Sequence, residues 1–166
     1  LLAMVGKPAR GKTHIARKIA RYLNWRGSQA KVFNVGNYRR KHLGAAQPAM
    51  FFDPSNAEGV AARRRMANAA LDELALWMDK GGEVAIYDAT NSTTARRKLL
   101  RQFAHIRQMQ LIFVESTCSN EDIVEANIRE TKLTSPDYRG IASEVAVADF
   151  RARIAFYTEA YEPLTE

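Results

Sequence analysis

A chain of 166 residues, 46% hydrophobic and 26% charged, is one domain's worth of polypeptide with enough apolar matter for a single sizeable core. Seven Phe and six Tyr argue against intrinsic disorder, and no run approaches the roughly 18 apolar residues of a membrane span. Lys and Arg total 25 against 18 Asp and Glu, a formal net charge of +7. Nucleic acid, an anionic membrane, a phosphorylated small molecule or a merely solvated basic surface would all suit that charge, and it does not choose among them.

The chain opens on Leu1-Leu2-Ala3-Met4-Val5, which lacks the basic leader of a signal peptide and runs straight into a glycine loop. It reads as a buried strand, and opening on a strand suggests a piece of a longer polypeptide. Ile15, Ile19 and Leu23 then recur at helical spacing, and Lys31 to Val35 is a second strand. Gly36 to Glu58, with Gly44, Pro48 and Pro54, reads as one long irregular stretch of functional or mobile character. Met66, Ala70, Leu74 and Trp77 form a helical stripe, followed by a strand over Glu83 to Asp88. Leu99, Leu100 and Phe103 mark a shorter helix, and Gln110 to Glu115 a fourth strand. Asn120 caps the next helix, with Glu121 and Asp122 in its first turn and Ile123, Asn127 and Ile128 behind them. Leu133 to Ser143, holding Pro136 and Gly140, is a lid candidate before a last helix striped by Val147, Phe150, Ile154 and Tyr157. Each stripe is read as core-facing. Strands alternating with helices predict a parallel α/β sheet with right-handed crossovers. Ligands on such sheets bind at the carboxyl ends of the strands.

The strongest chemical signal is Gly6-Lys7-Pro8-Ala9-Arg10-Gly11-Lys12-Thr13, which matches G-x-x-x-x-G-K-[ST] between a strand and a helix. Its glycines allow a tight turn whose N–H groups converge on phosphate oxygens. Lys12 can reach the β- and γ-phosphates, and the Thr13 hydroxyl can ligate Mg²⁺. Asp88 ends an apolar strand, where a carboxylate helps hold Mg²⁺ or accepts a proton from the attacking hydroxyl; the residues do not separate these roles. No guanine-reading Asn-Lys-x-Asp occurs, which speaks against a GTPase. Arg39 and Arg40 follow the second strand, Arg63 to Arg65 open a helix, Arg96 and Arg97 follow Asp88, and Arg153 comes late; several begin at or near strand carboxyl ends, where Arg suits bidentate phosphate recognition. Cys118 is the single cysteine, so no internal disulfide forms, and no Cys/His cluster has zinc spacing; a reducing, cytoplasmic location is expected.

Val5 to Thr13, Arg21-Tyr22-Leu23-Asn24-Trp25, Lys31 to Gly36, Tyr38-Arg39-Arg40, Asp88-Ala89-Thr90-Asn91 and Ser135-Pro136-Asp137-Tyr138 occur in this order. Together they resemble the kinase domain of the 6-phosphofructo-2-kinase/fructose-2,6-bisphosphatase family over nearly the whole chain. The resemblance implies a P-loop NTPase-like three-layer sandwich of adenylate-kinase-like topology. It implies transfer of the ATP γ-phosphoryl group to the 2-hydroxyl of fructose 6-phosphate, with Mg²⁺ and no nucleic-acid or membrane partner. Residues 1–166 would be a truncated kinase domain, its sheet of five parallel strands having the phosphate-loop strand central and the fifth strand past Glu166. The Arg-His-Gly phosphatase motif of relatives is absent, so hydrolysis is assigned to none of these residues.

By that resemblance, Gly6, Lys7, Pro8, Ala9, Arg10, Gly11, Lys12, Thr13 and His14 form the nucleotide loop, and Asn127, Ile128, Arg129, Glu130, Thr131 and Lys132 line the ATP side. Arg39, Arg63, Thr90, Arg96, Lys132, Arg153 and Tyr157 hold fructose 6-phosphate, and Asp88 is the active-site acid. His14 stands where many relatives carry Tyr, and its side chain is expected to point off the loop. The family pattern marks Cys118 as an active-site residue, although phosphoryl transfer between oxygens needs no thiol; a structural or substrate-proximal role is the favoured reading. Two alternatives stay open: another P-loop kinase of small acceptors, and a non-catalytic nucleotide-binding module with a basic binding surface. A homo-oligomeric state is also left open.

Overall fold

The computed structural model describes residues 1–165. Its four strands fall within two residues of the expected bounds: β1 Leu2–Val5, β2 Ala30–Asn34, β3 Val84–Asp88 and β4 Ile112–Glu115. All neighbours pair in parallel, in the order β2-β3-β1-β4, so the strand feeding the phosphate loop is interior. The fifth strand, expected past Glu166, lies outside the described residues. Six α-helices connect and cover the sheet: α1 Lys12–Trp25, α2 Val35–Leu43, α3 Ala57–Asp79, α4 Thr94–Ile106, α5 Glu121–Asn127 and α6 Ser143–Glu159.

Alternate residues of the central strands point to opposite faces, and each face has its own core. Met4 and Ile86 pack on Ala16 and Ala20 of α1. Ala3, Ala85 and Tyr87 pack on Ala70, Leu71 and Leu74 of α3 and on Leu100 and Ala104 of α4. Helices on both faces of a parallel sheet make the three-layer α/β sandwich that the resemblance implies, and the parallel sheet is the one anticipated from the alternation of elements. A third cluster, of Ala9, Val124, Ile128, Tyr138, Val147 and Phe150, joins α5 and α6 to the phosphate loop. No helix of the described residues is long and apolar enough to cross a membrane.

Three expectations are corrected. Gly36 to Glu58 is not irregular throughout: Val35–Leu43 forms α2 and Ala49–Phe52 a 3₁₀ turn. The side chain of Asn34 caps α2 by accepting from Asn37 N at 3.0 Å, and Tyr38 donates to Glu73 of α3 at 2.5 Å. A helix so polar is held by its cap and its packing, and therefore leaves no apolar stripe in the sequence. Leu99 and Ile123 face solvent, because the buried edges of α4 and α5 run through Leu100 and Val124 instead. The lid candidate Leu133 to Ser143 is pinned at its middle: Asp137 and Tyr138 are buried, Asp137 on arginines and Tyr138 on Phe150.

Candidate nucleotide and acceptor site

The strand order puts the carboxyl ends of β1 and β3 side by side. Gly6 leaves β1 with its N–H donating to Thr90 O at 2.9 Å, and Asn91 Nδ2 donates back to Met4 O at 2.7 Å. Gly6 has φ 138°, and a Cβ built on it would stand 2.4 Å from Ser116 O. Only glycine fits there. Gly11, at φ 80°, turns the chain into α1. Between the glycines the loop is braced from behind. Ser116 Oγ donates to Arg10 O, Arg10 Nε donates to Cys118 O at 3.2 Å, and Asn127 Nδ2 donates to Ala9 O at 3.0 Å.

Lys12 is buried and donates through Nζ to Lys7 O at 2.5 Å. Burial pushes its pKa down to about 7; Asp88 opposes that shift, and Lys132 and Arg10 reinforce it. Asp88 is 2% exposed, and Asn34, its register partner on β2, donates to Oδ2. Oδ1 is left uncommitted among the described residues. Lys132 stands on a π turn, Ile128–Lys132, that continues α5. Burial lowers its pKa as well, against the pull of Asp88. Lys12, Lys132 and Asp88 thus share one electrostatic neighbourhood above the ends of β1 and β3.

A second cluster forms beside it. Burial holds the Tyr157 hydroxyl above its ordinary pKa while Arg63, Thr90, Arg39 and Arg153 draw it down, which places four of the other residues expected to hold the acceptor around one phenol. Arg39 donates to Asp137 at 2.6 Å, and Arg153 donates to Asp149 at 2.9 Å and to Gln47 O. Aromatic faces support the guanidinium planes: Arg153 lies 4.5 Å from the Phe52 ring centroid, Arg39 5.4 Å, and Arg63 5.8 Å from Phe51. Arg96 donates to Tyr87 Oη at 2.8 Å, which donates in turn to Ala67 O, one turn along α3 from Arg63. The cations therefore converge on a corner adjoining the phosphate loop, the arrangement needed for two anionic ligands.

Other candidates sit apart. Arg97 is fully buried and donates to Glu162 O at 3.0 Å and Pro163 O at 3.1 Å, so it clasps the C-terminal segment. Arg63 to Arg65 do not open a helix, since α3 starts at Ala57, and Arg64 and Arg65 are exposed. His14 is exposed, pointing off the loop as expected. Arg129, Glu130 and Thr131 are exposed too, with Arg129 paired to Glu125 at 2.7 Å and Glu144 at 3.0 Å. Cys118 is half-buried against the α5–α6 cluster, its thiol 3.7 Å from Asn120 O. Sequence reasoning missed Ser116, Asn34 and Asp137. Asn34 and Asp137 stood inside recognised motifs, but nothing local marks what they bond, whereas Ser116 carried no signal.

A family model described as 6-phosphofructo-2-kinase matches residues 1–166. The chain belongs to this family. It is 46% identical over 167 residues to the 6-phosphofructo-2-kinase/fructose-2,6-bisphosphatase of Gallus gallus, covering 100% of this chain and 36% of that protein. Against form 3 of Homo sapiens the identity is 44% over 165 residues, covering 99% and 32%. The chain thus spans about a third of the length of these relatives. Among solved structures, the Mycobacterium tuberculosis APS kinase CysC in complex with AMPPNP and APS superposes with a TM-score of 0.61 at 16% identity, covering 99% of this chain and 83% of that one. At that identity the likeness concerns the fold alone, a P-loop NTPase-like α/β sandwich.

Proposed function

We propose that the chain transfers the γ-phosphoryl group of ATP to the 2-hydroxyl of fructose 6-phosphate, giving fructose 2,6-bisphosphate. Residues 1–166 are, in this reading, the 6-phosphofructo-2-kinase domain. One observation carries it: in a chain of this family, a phosphate loop adjoins a buried arginine cluster around Tyr157, so two phosphorylated ligands can meet at the ends of one sheet.

The N–H groups of the loop and the N-terminus of α1 would take the β- and γ-phosphates. Lys12 would exchange Lys7 O for phosphate oxygens. The acceptor oxygen attacks the γ-phosphorus as the bond to the β–γ bridging oxygen breaks, leaving ADP, and the hydroxyl proton passes to Asp88 or to solvent. Lys12 and Lys132 offset the charge spread over the transferring group. The Thr13 hydroxyl and Asp88 Oδ1 suit Mg²⁺, a hard cation commonly held by one or two protein oxygens with phosphates and waters completing the shell. When bound, Mg²⁺ supplies further neutralisation of the phosphate oxygens. Arg39, Arg63 and Arg153 would bind the 6-phosphate and Thr90 the sugar. Cys118 packs beneath α5 and is given a structural role. A cytoplasmic location goes with this reading, since nothing here needs an oxidising compartment.

Formation of fructose 2,6-bisphosphate by the full protein, measured in a coupled assay with ATP and a panel of acceptors, tests the proposal. Fructose 6-phosphate should be the preferred acceptor. Equal or better turnover of a nucleoside, polynucleotide or sulfate ester would refute it, and so would nucleotide binding without transfer.

A further inference from the structure

We propose that Asp137 is a positioning residue for the acceptor, one carboxylate that holds the guanidinium groups of Arg39, Arg40 and Arg153 together where the acceptor's phosphate binds. The inference rests on the acceptor reading above and deepens it. Three separate pieces of chain meet at this side chain. Arg39 and Arg40 come from α2, Arg153 from α6, and Asp137 from the 3₁₀ turn Pro136–Tyr138. Asp137 is 4% exposed and accepts from Arg39 Nη2 at 2.6 Å and from Arg40 Nε at 3.1 Å and Nη2 at 3.3 Å. Arg153 Nη1 stands 3.7 Å away. Burial would push this carboxyl up, but Arg39 and Arg40 hold it below the ordinary carboxylate range.

The charges explain why one carboxylate is needed and why one more anion is wanted. Arg40 and Arg153 each oppose the charge on Arg39, so the cluster repels itself without a counter-ion. Arg39, Arg40, Arg63 and Arg153, with Lys132 facing Arg40 and Asp137, carry five positive charges, set against three negative ones on Asp137, Asp149 and Asp53, which faces Arg63. The positive surplus suits a phosphate monoester dianion. Arg39 Nη1 is buried and has no hydrogen-bond partner among the described residues, so a donor is left over after Asp137 has taken its share. Asp137 itself has no free approach to a phosphate and would repel one. Its effect passes through the arginines.

The test is steady-state kinetics of the full protein with Asp137→Asn and Asp137→Glu, read as KM for fructose 6-phosphate against KM for ATP, with thermal unfolding alongside. Misplaced guanidinium groups should raise the sugar-phosphate KM about 30-fold in Asp137→Asn and about threefold in Asp137→Glu, with the ATP KM within about twofold of wild type. A sugar-phosphate KM unchanged in folded Asp137→Asn, or an equal rise in both constants, overturns the proposal. If Asp137→Asn does not fold, Asp137→Glu decides by the same split, and an unchanged sugar-phosphate KM overturns it. If wild type uses a different phosphorylated acceptor, the acceptor reading falls and Asp137 is judged on that acceptor's KM. If wild type uses none, both fall.

Discussion

Gly6→Ala is the most direct probe of how the phosphate loop is built. The new methyl would lie 2.4 Å from the Ser116 carbonyl oxygen and 3.3 Å from its carbon, and both are backbone atoms that cannot rotate away. Ordinary contact is near 3.5 Å, so β1 and the residue after β4 must part by about 1 Å. That strains the Ser116 N–H to Val5 O bond of 2.8 Å and the Gly6 N–H to Thr90 O bond of 2.9 Å. Losing one of these costs about 1 kcal/mol, and φ 138° on a residue with a Cβ adds about 1–2 kcal/mol. The sum, about 2–3 kcal/mol, should lower the thermal midpoint by about 4–12 °C for a cooperative unit of this size. Turnover should fall further than stability, because a displacement of about 1 Å at a reacting centre can cost about 100-fold. Differential scanning calorimetry and the coupled assay read the two quantities separately. A Gly6→Ala variant with wild-type midpoint and wild-type kcat would show that the close approach to Ser116 does not shape the loop.

Other outcomes follow from the same geometry. Lys12→Met should lower transfer by about 100-fold or more while the far-ultraviolet spectrum stays unchanged, since in the proposed reaction its amine acts on the transferring phosphate. The free protein's Lys12, with its pKa near 7, is mostly neutral at about pH 8 and must recharge to meet a triphosphate, so ATP binding should take up a proton there and almost none at about pH 6. Calorimetry in buffers of different ionisation enthalpy measures this, and Lys12→Met should remove it. The unfolded chain holds that proton up to about 10.5 and the fold releases it near 7, so this group adds stability as pH rises through that window. A Lys12→Met variant with an unaltered pH dependence of unfolding would refute that assignment. Arg63→Ala removes a cation stacked on Phe51 and Phe52 and should raise the sugar-phosphate KM about 10- to 100-fold, with little change for ATP.

What the linear chain decided by itself was local. Val5 to Thr13 carries strand, turn and helix start within nine neighbouring residues, and the four apolar runs announce parallel strands through composition alone, although only the interior β1 and β3 are largely buried. Those features need no distant partner, which is why they were legible. The arginine corner around Tyr157, proposed to hold the acceptor, was readable only residue by residue, through resemblance. Tertiary structure alone decided how it closes: β3 inserts between β2 and β1, setting Asn34 against Asp88, and α2 forms without an apolar stripe because Asn34 caps it and α3 backs it. Arg39 meets Asp137 across 98 residues of chain, a bond that no periodicity encodes. Arg97 looked the equal of Arg96 yet turns to the C-terminal segment, since adjacent residues on a helix point about 100° apart. Hydrophobic pattern is a property of neighbours in sequence, whereas the pairing of buried charges belongs to neighbours in space.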